Sequence, residues 1–425
     1  MITKIAENLG EVYTNFDPFA PLSTLSELRD FYVIREKSPL ERMKMELLYD
    51  NTGNMKSLFS GHRGSGKSTE LNKLVSDELI QSKYFVVKYS VKEVLDIAGL
   101  DYIDLLVSIG AQIFIKATED GKLKLNKGVL DELERWLGTI EIVREDTSLK
   151  SASVEAEAGL KAVFIKLLGK LKVEYTTRDN IRQTIQPKIS ELIGIINLII
   201  NELVLNLNKK VLVVIEDLDK PDLKIAEELL YKRQTSLTSP SCCIIYTVPI
   251  GLLYCPDAPQ VGQAFNRIYV LPNVSITKRD DLSPNPDGQE TMRKFIEKRM
   301  SLDLIEENAL KHAITISGGV FREMARIIRT STINAIGRDA EIISLDDVKM
   351  VESEIRNEYR RILETQDYEA LKVIHETREL KGSEICAKLL HELSILEYQN
   401  DDNWCDVHPT IIPLIEPKKK GRVNS

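Results

Sequence analysis

The sequence predicts an α/β fold: a parallel sheet with helices on both faces, then a helical region, then three helices and a β-hairpin. Three observations carry this. A glycine-rich stretch, Gly61-His62-Arg63-Gly64-Ser65-Gly66-Lys67-Ser68, joins a short apolar run to a helical pattern. Val211-Leu212-Val213-Val214-Ile215 and Cys242-Cys243-Ile244-Ile245-Tyr246-Thr247 are continuous apolar runs, as strands buried on both faces require. Stretches of helical spacing separate these runs, as the crossovers of a parallel sheet demand.

Residues 1–55 read as an N-terminal linker punctuated by Pro18 and Pro21, with a short apolar run, Phe31-Tyr32-Val33-Ile34. A helix is expected from Pro39 to about Asp50, ended by Asn51-Thr52-Gly53. The core spans 56–280. Lys56–Ser60 is its first strand, Lys67 to about Leu79 its first helix, and Tyr84–Tyr89 its second strand. Helical spacing returns over about 101–117 and 128–138. Residues 145–180 form an insertion with two open readings. Leu160, Val163, Phe164, Leu167, Leu168 and Leu171 match one helix face, yet Val154, Ala156, Ala158, Leu160 and Ala162 alternate as in a hairpin. Such an insertion either packs on its own domain or faces a membrane or partner. Leu192–Leu207 is the most apolar stretch, crossed by Asn197, Asn201, Glu202 and Asn206. It is expected as a buried helix too short and too interrupted to span a bilayer. After the strands Val211–Ile215, Cys242–Thr247 and Ile268–Leu271, Pro, Asp and Gly residues at 280–288 mark a boundary. Residues 281–345 then read as a helical lid, 346–416 as a winged-helix-like domain and 417–425 as a basic tail.

The 425 residues are 43% hydrophobic and 29% charged, an ordinary soluble composition. A net charge of -8 excludes a generic basic nucleic-acid coat. The five cysteines, Cys242, Cys243, Cys255, Cys386 and Cys405, have no paired spacing, which points to a reducing cytoplasm. The N-terminus lacks the apolar core of a signal peptide. Cys386, His391, Cys405 and His408 match no common zinc spacing.

The glycine-rich stretch is a complete G-x-x-x-x-G-K-[ST] motif. Gly61, Gly64, Ser65 and Gly66 let backbone N–H groups converge on phosphates, and the following helix adds its N-terminal dipole. Lys67 supplies charge at the β- and γ-phosphates, and the Ser68 hydroxyl is a Mg2+ ligand. With Thr69, these are the expected ATP-binding residues. Glu216-Asp217-Leu218-Asp219 follows a buried strand directly. Carboxylates there are costly unless they face a metal or a polar cleft. Glu216 is expected to hold the magnesium, Asp217 to polarise the attacking water, and Asp219 to brace the site or contact a neighbour.

With both motifs in place, residues 25–410 resemble the AAA+ P-loop ATPases, closest to the origin-recognition/helicase-loader proteins and the KAP- and STAND-like bacterial ATPases. The resemblance implies roles for three further residues. Thr247, before Val248-Pro249, matches sensor 1. Arg267 matches the arginine finger, aimed in trans at a neighbour's γ-phosphate in a homo-oligomer. Arg322, in Gly318-Gly319-Val320-Phe321-Arg322-Glu323, matches sensor 2. Where AAA+ strands typically end Asp-Glu, this one ends Glu-Asp, so the water-polarising carboxylate is one methylene shorter and slow hydrolysis is expected. The membrane helices that KAP-type proteins usually carry are absent. The resemblance therefore implies a cytoplasmic, nucleotide-controlled assembly switch with a protein partner or effector, in the setting of bacterial antiviral defence. Two alternatives are a DNA-binding loader or initiator using the winged helix, and a non-hydrolysing ATP-bound scaffold. The charge pattern weighs against DNA. The hairpin tip is Gln399-Asn400-Asp401-Asp402-Asn403, and the candidate recognition helix Ser383–Leu393 offers Lys388 against Glu384 and Glu392.

Overall fold

The computed structural model describes residues 2–121, 125–140, 153–400 and 402–416. Apolar residues alternate along the strands and so divide the sheet into two covered faces. On one face Leu58, Val87, Val213, Ile215 and Tyr246 pack with helices Tyr102–Glu119, Lys127–Leu137, Ser153–Val173 and Ile189–Leu207. On the other, Phe59, Val86, Leu212, Val214 and Ile245 pack with helices Leu40–Tyr49 and Lys67–Val75. Each fully buried aliphatic or aromatic side chain contributes about 1.5–3 kcal/mol, so the alternation itself holds the three layers together.

Five strands form the sheet: β1 (Lys56–Gly61), β2 (Tyr84–Ser90), β3 (Lys210–Glu216), β4 (Cys243–Pro249) and β5 (Arg267–Leu271). They run parallel in the order β2-β3-β4-β1-β5. In this register Phe59 lies opposite Thr247, and Glu216 opposite Ser90. The carboxyl ends of β1, β2, β3 and β4 therefore open onto one edge, where parallel sheets form their ligand crevices.

The described part of the insertion is helical, Ser153–Val173 and Tyr175–Ile185, with Leu160, Val163, Phe164, Leu167, Leu168 and Leu171 all buried against the first face of the sheet. Residues 145–152 lie outside the described residues. One length expectation is corrected. The apolar helix does not stand alone but continues a helical run of 33 residues, Tyr175–Leu207, long and apolar enough by length and composition to cross a membrane. Pro187 does not interrupt it, because a proline is tolerated in the first turn of the helix it opens. In this fold Leu192, Ile195, Ile196, Ile199, Ile200 and Leu203 of that run are buried in the sheet's core.

Residues 2–55 are more than a linker. Helix Leu9–Asn15 buries Leu9, Val12 and the adjoining Phe16 in a second core built by the C-terminal helices, and Ala6 bridges Met300. Helix Leu40–Tyr49 instead buries Leu40, Met43 and Leu47 under the sheet. The crossing segment runs from the prolines to Pro39: Val33 still packs in the second core, and Leu40 is the first of these residues under the sheet.

That second core joins helices Pro286–Glu297, Glu307–Ile316, Phe321–Gly337 and Leu345–Ile362 to Thr365–Thr377, Glu384–His391 and an antiparallel hairpin, β6 (Ile395–Gln399) and β7 (Asn403–Val407). Gly318 and Gly319 set the entry to helix Phe321–Gly337. Both have positive φ, and a side chain on Gly319 would come within 1.8 Å of the Val274 carbonyl.

Candidate functional site

The phosphate loop runs from the end of β1 into helix Lys67–Val75. Gly61, Gly64 and Gly66 adopt φ values of 150°, 86° and 101°, which L side chains rarely accept. At Gly64 space matters too, since a Cβ there would lie 2.4 Å from the Cβ of Arg322. Lys67 curls back over its own loop. Its Nζ donates to the carbonyls of Gly61 (2.8 Å) and His62 (2.9 Å) and ion-pairs with Asp219 Oδ2 at 2.8 Å. Burial alone would raise the Asp219 carboxyl, but Lys67 beside it holds it below the usual carboxylate range.

Two loop positions face the C-terminal module. His62 is fully buried, and its Nε2 accepts the Glu397 N–H of β6 at 2.8 Å. The Arg63 guanidinium reaches the carbonyls of Asp219 (3.2 Å) and Lys220 (3.0 Å) and His391 Nε2 (2.7 Å). Burial, reinforced by Lys67, lowers His62 to about 3; burial, reinforced by Arg63, lowers His391 to about 4. Both rings are therefore neutral near pH 7 and act as acceptors.

A third support was not legible in the sequence. Buried Arg35 donates to the carbonyls of Ser65 (2.5 Å) and Pro272 (3.1 Å) and lies 3.5 Å from Glu70. No motif marks it. The crossing segment also closes on the loop helix, with the Leu22 N–H donating to Thr69 Oγ1 at 3.3 Å and the Asn72 amide to the Leu22 carbonyl at 2.7 Å.

The acids stand across the same opening. Glu216 ion-pairs through Oε2 with Lys88 of β2, while its buried Oε1 has no hydrogen-bond partner among the described residues. Asp217 adopts φ 67°, uncommon for a residue with a side chain. Its Oδ2 receives Ser90 Oγ at 2.6 Å and Lys92 Nζ at 3.3 Å, and its Oδ1 receives Lys220 Nζ at 2.8 Å. Burial would raise the Asp217 carboxyl, but Lys220, Ser90 and Lys92 together keep it below the usual range. Sequence reasoning missed Ser90, Lys92 and Lys220. Ser90 could have been found from its place at the end of the second strand.

The loop, the acids, the crossing segment and the start of helix Phe321–Gly337 enclose a cavity of about 370 Å³. Gly64, Gly66, Lys67, Ser68, Thr69 and Thr247 all line it, as do Glu216, Asp217 and Arg322. Thr247 has its hydroxyl committed, donating to the Ile215 carbonyl (3.1 Å) and accepting the Leu218 N–H (3.3 Å), so it fastens the turn carrying the acids. Arg322 donates from Nε to the Pro18 carbonyl at 3.1 Å and from its backbone N–H to the Gly64 carbonyl at 3.1 Å. Arg267 is not brought to this site. At the start of β5 it lies beside Ser57, at the opposite edge of the sheet, half-exposed and 2.9 Å from Glu46.

No protein-family model matches the chain, and no curated protein matches it. Among solved structures it is similar to Cdc6p from Pyrobaculum aerophilum, at 12% identity over 95% of both chains with a TM-score of 0.38. It is also similar to a Drosophila ORC structure bound to DNA, at 9% identity over 96% of this chain and 92% of that one, TM-score 0.40. A third is the Thermotoga maritima RuvB Holliday junction branch migration motor, at 13% identity over 93% and 98%, TM-score 0.38. The fold assignment rests on the sheet, loop and strand ends of this molecule. They make an α/β P-loop fold with a helical C-terminal region.

Proposed function

We propose that this protein is a slowly hydrolysing, Mg2+-dependent ATPase that works as a nucleotide-controlled assembly switch. The observation that carries the reading is one cavity holding the glycine loop with Lys67 on one side and Glu216 and Asp217 on the other. The residues present suit the magnesium–phosphate group. Gly64 and Gly66 take the positive φ that lets the loop backbone curl so that its N–H groups converge on phosphates, and Glu216 Oε1 is a buried acceptor with no hydrogen-bond partner among the described residues. Ser68 and Glu216 would hold the ion, which when bound neutralises charge on the β- and γ-phosphates.

The chain's own residues divide the remaining work. The loop's N–H groups and Lys67 hold the phosphates, while Arg322, the crossing segment and Phe321 close the cavity around the loop. Asp217 takes the proton from a water whose oxygen forms a bond to the γ-phosphorus. The bond from that phosphorus to the β–γ bridging oxygen breaks, giving ADP and phosphate. Until nucleotide binds, Asp217 is clamped by Ser90, Lys92 and Lys220, and its side chain is one methylene shorter than the usual water-polarising glutamate, so turnover is slow. The same clamp favours a second reading, in which ATP is a structural ligand of a non-hydrolysing scaffold.

Assembly into a homo-oligomer would place Arg267, which lies outside the cavity of its own chain, toward a neighbour. Helix Glu384–His391 supports protein rather than DNA contact. Its Ala387 carbonyl packs on Gly251, where a Cβ would lie 2.4 Å away, and Lys388 is ion-paired with Asp367 at 2.9 Å. A cytoplasmic role beside an antiviral effector belongs to this proposal through the family resemblance alone. The test is phosphate release at excess protein, with and without duplex DNA, paired with mass measurement with and without ATP. Slow release, indifference to DNA and a larger particle with ATP support the switch. Stimulation by DNA supports a loader, and no release supports the scaffold.

A further inference from the structure

Lysines from three places converge on the acidic end of β3. Three ammonium groups, Lys88, Lys92 and Lys220, face two carboxylates, Glu216 and Asp217. Lys88 is spent on Glu216. Lys92 and Lys220 share the single negative charge of Asp217, one on each oxygen, with the Glu93 carboxylate near Lys92 on the wall of the same cavity. The two side chains come from different places, Lys92 from the turn after β2 and Lys220 from the turn after β3, and converge on one point. Both line the cavity that also holds Lys67 and Ser68. Neither is locked in the core. Their side chains are 47% and 31% exposed, on flexible four-carbon stems that reorient readily.

We propose that Lys92 and Lys220 bind the terminal phosphate of the triphosphate, and that they leave Asp217 when they do so. The proposal rests on the ATP-binding reading above. A terminal phosphate offers up to about two negative charges and three acceptor oxygens, against one charge on Asp217, so the pair gains by the exchange. The exchange also frees the Asp217 oxygens for water, so the group that must be hydrolysed is the one that releases the base. Asp217 keeps its place meanwhile, because its left-handed backbone is fixed by the turn in which the Lys220 N–H donates to the Asp217 carbonyl at 3.2 Å and by Ser90 Oγ at 2.6 Å. ADP lacks the phosphate in question. The pair therefore discriminates ATP from ADP within one chain, without a neighbour.

The experiment is calorimetric titration of the full chain with Mg-ADP and with a non-hydrolysable Mg-ATP analogue, whose bridging oxygen is replaced by NH. Wild type is compared with Lys92→Gln/Lys220→Gln and with the charge-preserving Lys92→Arg/Lys220→Arg. The Gln pair should lose about 10- to 100-fold in affinity for the triphosphate, as for charged hydrogen bonds, and less than about twofold for ADP. The Arg pair should keep most of the discrimination. Equal weakening toward both nucleotides, or none toward either, would overturn the proposal while leaving the ATP-binding reading intact. A wild type that binds neither nucleotide would overturn both.

Discussion

The phosphate loop and the acidic end of β3 face one another across a single cavity, yet they are held by opposite means. The loop is fixed through its backbone: three glycines at positive φ, and carbonyls that receive Lys67 from the same loop, Arg35 and the Arg322 N–H. The acids are fixed by borrowed side chains, Lys88 and Ser90 from β2, Lys92 just beyond it, and Lys220 after β3. Backbone geometry is costly to change, whereas ion pairs at a cavity wall exchange partners readily. One side of the site is therefore preformed and the other is able to switch.

The largest expected effect is at the switching side. Asp217→Asn should lower turnover by about 10²–10⁴-fold, the usual contribution of a general base, with ATP affinity preserved. Glu216→Gln should instead weaken Mg2+-dependent binding. Equal loss of binding in the two variants, measured by titration, would mean that the roles of the two acids are exchanged.

At the preformed side the expected damage is to the fold. Gly64→Ala places a Cβ at φ 86° and 2.4 Å from Arg322. Strain and overpacking together should cost roughly 2–4 kcal/mol in urea unfolding. A variant as stable as wild type would show that the loop is not rigidly preformed.

This contrast also explains what the sequence made legible. Glycine conformation and strand alternation are local properties, so the loop, the five strands and the positions of the acids could be read directly. The partners of Asp217 could not, because Ser90 lies 127 residues away and meets it only through the pairing of β2 with β3. Arg35 was missed for the same reason, as a lone guanidinium whose role exists only once its chain segment reaches the loop. The N-terminal segment reads as a linker because its prolines are visible in the sequence and its attachment to Met300 is not. The apolar helix was legible only over Leu192–Leu207, because the polar residues Asn197, Asn201, Glu202 and Asn206 mark that stretch while the helical run that precedes it from Tyr175 is less apolar.

The contact between the loop and the C-terminal module predicts a pH dependence. His62 and His408 titrate at about 3 and His391 at about 4 in the folded protein, lowered first by burial, against an ordinary value of 6.5. Between these values the unfolded chain binds more protons than the folded one. Stability is therefore full above about pH 6.5 and falls as pH drops toward 4, by about 1.4 kcal/mol per pH unit for each histidine. Thermal unfolding across that range should show this slope, reduced in His62→Gln. An unchanged slope would mean that His62 is not held neutral against β6.

The smallest effect is expected at the far edge of the sheet. Arg267→Ala removes an exposed ion pair with Glu46 and should change stability by less than about 1 kcal/mol. Its hydrolysis should nevertheless fall, and mixing it with Lys67→Ala protein should restore some activity. A mixture that stays inactive, with wild-type hydrolysis independent of protein concentration, would rule out a role in trans.

The most direct test of the central claim is the melting temperature of wild type and Lys67→Ala, each with and without Mg-ATP. Nucleotide at about 100 times its dissociation constant should stabilise the wild type by roughly 2.7 kcal/mol. The variant should show no such shift. An equal shift in both proteins would contradict the assignment of this cavity as the ATP site.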